Sequence, residues 1–438
     1  MSIQNNNYKV VIINSILFFL PISFILGNLI INLNIILLII LSFSFFGLKI
    51  FERKFSLIDK FVILLFFYII ANGIFNNFLN FEDSGLEKNN FLLTKSFAYS
   101  RFLMLYFILK FLINRDLIRF NLLFFSFGVC ALFVSVDIII QYFIGKDLFG
   151  YETTGRRLSG PFKDEYIAGS YIQRFFIFLP IAITFYSFKE KKIFYNLLII
   201  LILITAGLGA ILAGNRMPLI LFVLVLFIVL FYVKNFRKIL VVSLFFILGG
   251  VYYLANNYAE FGHHYKGFIA KSFQITHYFK IKFTAEETDF LANPNIKEME
   301  TGILTWKQNK IFGGGIKSFY FNCSKIKNSV MDKYGGTNCS SHPHNYYLEI
   351  ASELGILGLI LIISIFFLIF IKILKLLHFS KNNFLNKNLL IPFFALFIAE
   401  VFPFKSTGSF FTTANATFLF IIVSFIVNLT EYKKNEKS

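Results

Sequence analysis

The stretch Ser341 to Leu359, SHPHNYYLEIASELGILGL, puts His344 and Asn345 where a long polar segment meets a long apolar one. A titratable imidazole is thereby fixed where bilayer meets water, able to move a proton, and the competing reading is a loop-packing or helix-capping residue. Far away in sequence, Arg216 occupies the turn Ala213-Gly214-Asn215-Arg216-Met217-Pro218 between two apolar runs. Gly214 and Pro218 are expected to break the helix there and leave backbone groups facing a polar cavity. Arg216 reads either as an accident of topology or as a guanidinium fork aimed at the oxygens of an anionic ligand. Arg156 and Arg157, in GKDLFGYETTGRRLSGPFKDEYIAG from Gly145 to Gly169, read as a solvated face or as a second anion clamp on the same side.

The elements that must position these groups follow from composition. Of 438 residues 57% are hydrophobic, in runs of about 17 to 25 separated by short charged clusters, which describes an all-α polytopic membrane protein. Twelve spans are expected, at roughly 10–26, 29–50, 58–75, 97–113, 120–144, 167–188, 193–213, 217–233, 239–256, 347–377, 388–404 and 410–429. The net charge of +18 would suggest nucleic acid in a soluble chain. Here lysines and arginines, Lys110 among them, collect on alternate connections and read as topology signals that put both termini in the cytoplasm. No cleavable signal peptide is expected, because the apolar run from Val10 to Leu26 lacks a small-residue cleavage site. The chain divides into helices one to nine (1–257), a large, mostly helical periplasmic loop (258–346), and helices ten to twelve with a cytoplasmic tail (347–438).

Charges inside or beside apolar runs are costly and so are candidates for function. Arg101, Arg174 and Lys405 lie close enough to the outer interface to snorkel. Asp137 reads as a packing partner for a polar neighbour, and Glu400 as a further candidate. Cys323 and Cys339 share the large loop and would bridge if it faces an oxidising compartment. The run Gly313-Gly314-Gly315-Ile316-Lys317-Ser318 carries Ile316 where a phosphate-binding loop needs glycine, and reads as a flexible turn. His263, His264, His277 and His342 have no regular metal-ligand spacing, and no Asp-x-Asp pair occurs. A transporter would show broken helices and matching halves, whereas these polar residues gather at one face.

With these residues in hand, the chain resembles the O-antigen ligase and O-antigen polymerase superfamily of bacterial envelope glycosyltransferases. The resemblance rests on a histidine followed by Asn, Ser or Gln, nine residues, then Gly-x-x-Gly, met by His344, Asn345 and Gly355-Ile-Leu-Gly358. The stretches Arg157 to Phe162, Phe312 to Phe319 and Phe402 to Phe410 are also similar. It implies an inverting transfer of a glycan from undecaprenyl diphosphate to an acceptor hydroxyl at the periplasmic face of the inner membrane, without metal, nucleotide or other cofactor. The acceptor would be lipid A-core for a ligase or a growing glycan for a polymerase, and a flippase or transporter of lipid-linked glycan is the alternative from another class. It further implies His344 as catalytic base and Arg216 on the diphosphate. The family's second arginine has no counterpart in the large loop, which leaves Lys297, Lys307, Lys310 or the pair Arg156 and Arg157 as stand-ins. Asn345 would orient or cap, Gly355 and Gly358 would let two helices approach, and Glu349 and Glu353 would form an interfacial salt bridge or hold His344 or a lysine. The chemistry agrees. A hydroxyl needs a base, a departing diphosphate needs cations, and an arginine beside the imidazole keeps it neutral near pH 7 from an ordinary value of about 6.5. His344 and Arg216 are therefore expected to share one wet pocket on the outer side.

Overall fold

A chain in hydrocarbon must satisfy every backbone N–H and C=O within itself, so charge-free apolar runs of this length close into helices. The computed structural model describes residues 4–52, 54–79, 86–152, 157–186, 192–258, 294–326, 339–379, 384–406 and 408–431. Among them nine helices are long and apolar enough to cross a membrane: Tyr8–Leu26, Asn28–Phe51, Leu57–Phe78, Asn90–Asn114, Phe120–Ile144, Lys192–Leu212, Arg237–Asn257, Tyr346–Leu377 and Thr413–Glu431. Ala168–Thr184, Arg216–Tyr232 and Leu389–Glu400 are shorter apolar helices, and no strand occurs among the described residues. The protein is an all-α, multi-pass membrane protein.

The chain forms two compact units. The first comprises Met1–Gly47, Phe111–Ala270 and Lys381–Ala399. Its core is aromatic: Phe124, Phe127, Phe175, Phe178 and Phe393 meet at ring centroid separations of 5.1 to 5.7 Å, within the range where edge and tilted pairs attract. Asp137 is fully buried in the helix Phe120–Ile144, where its Oδ1 accepts the Leu148 amide at 2.8 Å. One turn on, Gln141 accepts the Gly160 amide at 2.9 Å and donates to the Tyr151 carbonyl at 3.2 Å. These two side chains hold the loop that follows their own helix, which is where the loop's backbone finds its partners.

The second unit comprises Leu48–Lys110, Lys271–Ser380 and Glu400–Ser438. Lys110 is more than a topology signal. It is buried, 2.7 Å from Asp59 Oδ1 and 3.1 Å from Glu431 Oε2, and Lys372 also pairs with Glu431. Tyr106 donates to Asp59 at 2.6 Å. Asp59 itself accepts the Ser56 amide at 2.8 Å, closing a capping box at the start of the helix Leu57–Leu79. Asp59, Glu431, Lys372 and Tyr106 thus share with Lys110 the desolvation cost that a lone buried lysine would impose.

The helix Tyr346–Phe379 departs from regular geometry at Gly355, with φ 66° and ψ −170°. A loop, not a second helix, fills the break. Ile356 N donates to Lys310 O at 2.9 Å, while Gly314 N and Gly315 N donate to Ser352 O at 3.1 Å and Glu353 O at 2.8 Å. The run Gly313–Ser318 is therefore a pinned connection and not a free turn. Asn72 and Asn76 of the helix Leu57–Leu79 add bonds to Phe312 O and Gly313 O, at 2.5 and 3.3 Å. Gly358 does admit a neighbouring helix, because a Cβ there would lie 3.2 Å from the Tyr68 ring, whose hydroxyl donates to Leu354 O at 2.7 Å.

A Cβ at Gly355 would strike Ile311 O and lie 2.7 Å from Gly313 N, besides being strained at positive φ. Gly355→Ala is expected to destabilise by about 2 kcal/mol or more. Thermal unfolding of the detergent-solubilised protein checks this, with Gly249→Ala, inside a helix and with open space around it, expected not to lower the midpoint.

Candidate functional site

Asn345 begins the helix Tyr346–Phe379. Its Oδ1 accepts the Tyr347 and Leu348 amides at 3.0 and 3.1 Å, and its Nδ2 donates to Pro403 O at 2.8 Å. It caps the helix and ties it to the 401–410 segment. His344, one residue earlier, sits in left-handed backbone at φ 49°, a conformation that costs a side-chain-bearing residue and that recurs at functional positions. Its Nε2 lies 3.8 Å from Glu298 Oε1, with the two side chains 37% and 19% exposed. The ring of His342 stands beside it, centroids 4.3 Å apart and planes at 44°.

His342 is a different imidazole. Its Nδ1 is 2.8 Å from the Ser341 hydroxyl. Burial, the neighbouring His344 and the Lys317 ammonium push its pKa down to about 3, so it stays uncharged at neutral pH.

Glu349 and Glu353 are buried rather than interfacial. Glu349 accepts the Ser409 hydroxyl and the Phe410 amide, the latter at 2.6 Å, and lies 3.7 Å from Lys317 Nζ. Glu353 accepts the Lys317 amide at 2.7 Å, and Lys317 Nζ donates to Ser409 Oγ at 2.7 Å. Both carboxylates thus hold Lys317 and its surroundings rather than His344. Lys405 does not snorkel: it is buried, 2.7 Å from Glu400 Oε1, and donates to Tyr346 Oη at 3.0 Å, while that hydroxyl donates to Glu400 at 2.8 Å. Cys323 and Cys339 are joined, with Cα atoms 5.7 Å apart, tying the helix Phe319–Cys323 to the strand of chain that leads to His342. Arg101 is turned back onto protein, donating to Ala98 O at 2.5 Å and to Thr413 Oγ1 at 3.2 Å.

In the first unit, Gly214 at φ 70° ends one helix and extended Asn215 precedes the next. Asn215 Nδ2 donates to Tyr166 O at 2.6 Å. Pro218 does not break a helix. It falls in the first turn of Arg216–Tyr232, where its missing N–H costs nothing. Arg216 is the first residue of that helix and is half-buried, so a guanidinium and the positive end of a helix dipole coincide. Arg174 is buried, away from the water a snorkelling side chain would seek. Arg157 is exposed, and Arg156, His263, His264 and His277 lie outside the described residues. Of the lysines weighed as stand-ins, Lys297 is half-buried, and Lys307 and Lys310 are exposed. Among the described residues no group of three or more His, Cys, Asp or Glu side chains is placed to hold a metal.

Sequence reasoning missed His342 as a neighbour of His344, although two histidines two apart across Pro343 are a local signal. It also missed Glu298, 46 positions upstream, for which no local signal exists.

Because His342 resists protonation when folded but titrates near 6.5 when unfolded, the unfolded chain binds the extra proton as pH falls from about 6.5 towards 3. Stability is therefore complete above that window and lost through it. Thermal midpoints at pH 7.5 and 4.5 are expected to differ less in His342→Gln than in the wild type, and an equal difference would refute the linkage.

Comparison with curated proteins gives no match. Residues 198–363, a stretch that includes Arg216, Glu298, Lys317, His344, Asn345, Gly355 and Gly358, match the family model described as O-antigen ligase. The match spans less than half of the chain, and over that segment the protein is similar to the O-antigen ligase family, whose members are ligase- and polymerase-type glycosyltransferases.

Proposed function

We propose that the protein transfers a glycan from a lipid-linked diphosphate, undecaprenyl diphosphate by its family resemblance, to an acceptor hydroxyl at the outer face of the cytoplasmic membrane. The observation that carries this reading is the His344 imidazole: partly exposed, held in left-handed backbone, one residue before the cap of a membrane-length helix. The same family match that covers it also covers Arg216.

In this mechanism His344 takes the proton of the acceptor hydroxyl. The oxygen attacks the anomeric carbon from the side opposite the diphosphate, whose C–O bond breaks, so the configuration inverts. Arg216, with the backbone N–H groups of its helix start, meets the charge that grows on the diphosphate, and Arg157 and Arg156 form a second clamp. The activated donor supplies its own driving energy. The twelve-span topology, with both termini cytoplasmic and residues 258–346 outside, belongs to the same proposal. The acceptor is lipid A-core if the protein acts as a ligase, and a growing glycan if it acts as a polymerase.

His344→Ala is expected to lower transfer by about 10² to 10⁴, and Arg216→Ala by about 10² to 10³, with the protein still folded and inserted. Vesicle assays with lipid-diphosphate donor measure this, and normal surface polysaccharide in His344→Ala cells would refute the base. Lipid extracts of a deletion strain separate the acceptors: long unattached polymer on the carrier marks a missing ligase, whereas single repeat units mark a missing polymerase.

A further inference from the structure

The helix Pro294–Gln308 meets the histidine segment at Gly302, where a Cβ would lie 3.1 Å from Pro343 Cβ and 3.3 Å from Leu348 Cβ. A side chain there would force Pro343 and Leu348 to give way, so glycine suits so close an approach. One turn towards the N-terminus on the same face, four positions away, stands Glu298. The packing at Gly302 therefore delivers this carboxylate to His344, with 3.8 Å from Oε1 to Nε2.

The surroundings are mixed in charge. His342, on the other side of the ring, is neutral at physiological pH. The cations of adjoining segments face carboxylates of their own, Lys317 against Glu349 and Lys405 against Glu400. The separation of 3.8 Å is too long for a good hydrogen bond to a neutral ring, yet close enough for an ion pair once the ring is charged. Such a contact is worth little in the resting state and more as the proton arrives, and only an interaction that strengthens on the way to the transition state raises kcat.

The geometry assigns Glu298 as the positioning residue of His344, the carboxylate that draws in Nε2–H as the ring becomes charged and stabilises the imidazolium formed during transfer. This rests on the reading of His344 as the base. In the step, Nδ1 takes the acceptor O–H proton, the oxygen bonds to the anomeric carbon, and the bond to the diphosphate breaks with its electron pair leaving on the phosphate oxygen. The ring then carries both protons opposite the Glu298 carboxylate, and is reset when Nδ1 returns its proton to solvent.

The test compares steady-state transfer by full-length protein in vesicles containing the lipid-diphosphate donor. Glu298→Gln is expected to lower kcat about tenfold or more with KM for donor and acceptor unchanged, and Glu298→Asp to recover part of that loss. In a His344→Ala background, Glu298→Gln should cost nothing further, since the charge it answers never forms. Wild-type kcat in Glu298→Gln, or the same loss with and without His344, would overturn the assignment while leaving the base in place. If His344→Ala itself keeps full activity, it is the base reading that fails. Should Glu298→Gln not accumulate, Glu298→Ala decides the matter, with wild-type kcat again the refuting result.

Discussion

Four residues of loop and four of helix exchange backbone hydrogen bonds around Gly355, and the second unit is built on that exchange. A helix of membrane-spanning composition cannot leave amides unsatisfied, because no water is there to receive them. When Gly355 turns out of helical geometry, the Ile356 and Leu357 amides find Lys310 and Ile311 carbonyls, and the Ser352 and Glu353 carbonyls find Gly314 and Gly315 amides. The bonds lost by the helix are thus replaced one for one. The loop is fixed in turn, and with it Lys317, whose amide reaches Glu353 and whose ammonium reaches Ser409.

From there the order propagates to the histidine end. Ser409 and Phe410 bind Glu349, three residues into the helix; Pro403 binds Asn345; Val401 receives the Tyr347 hydroxyl; and Glu400 with Lys405 closes on Tyr346. The 400–410 segment therefore touches nearly every residue of the first helical turn. Lys405 and Glu400 are buried against each other with a further hydrogen bond to Tyr346, the condition under which a low-dielectric ion pair holds a geometry and does not disrupt it. His344 is carried at the edge of this scaffold with its own ring partly in water. The proton transfer proposed for it needs both properties: a fixed position and access for a hydroxyl.

The helices were legible in the sequence because charge-free runs have few other solutions in lipid, and Asn345 was legible as a cap because capping is a local event. The break at Gly355 was not, since it depends on a loop forty residues upstream arriving with matching donors. Lys405 was misread for a related reason. Beside Phe402, Pro403 and Phe404 it looks interfacial, but the turn brings Glu400 back onto it. Pro218 was read as a breaker when it only opens a helix, a distinction of two positions that the dipeptide pattern does not resolve. The motif itself pointed to His344, and the glutamate facing it could be found only from packing through Gly302.

The locked condition of the buried charges also bears on mechanism. A carrier that alternates between two membrane faces must release and remake the polar contacts around its cargo, so its charged residues need alternative partners of similar energy. In the second unit Glu349 is held by a hydroxyl and an amide, Glu353 by an amide, and Lys405 by a carboxylate and a phenol, all at hydrogen-bonding distance and all on one end of the helix Tyr346–Phe379. Freeing any of them would leave a buried polar group without its partner, which costs free energy. The base proposed at His344 would benefit from such fixed surroundings, whereas a transport cycle would have to break these contacts. The fixed network therefore favours chemistry on a substrate brought to the protein over passage of that substrate through it.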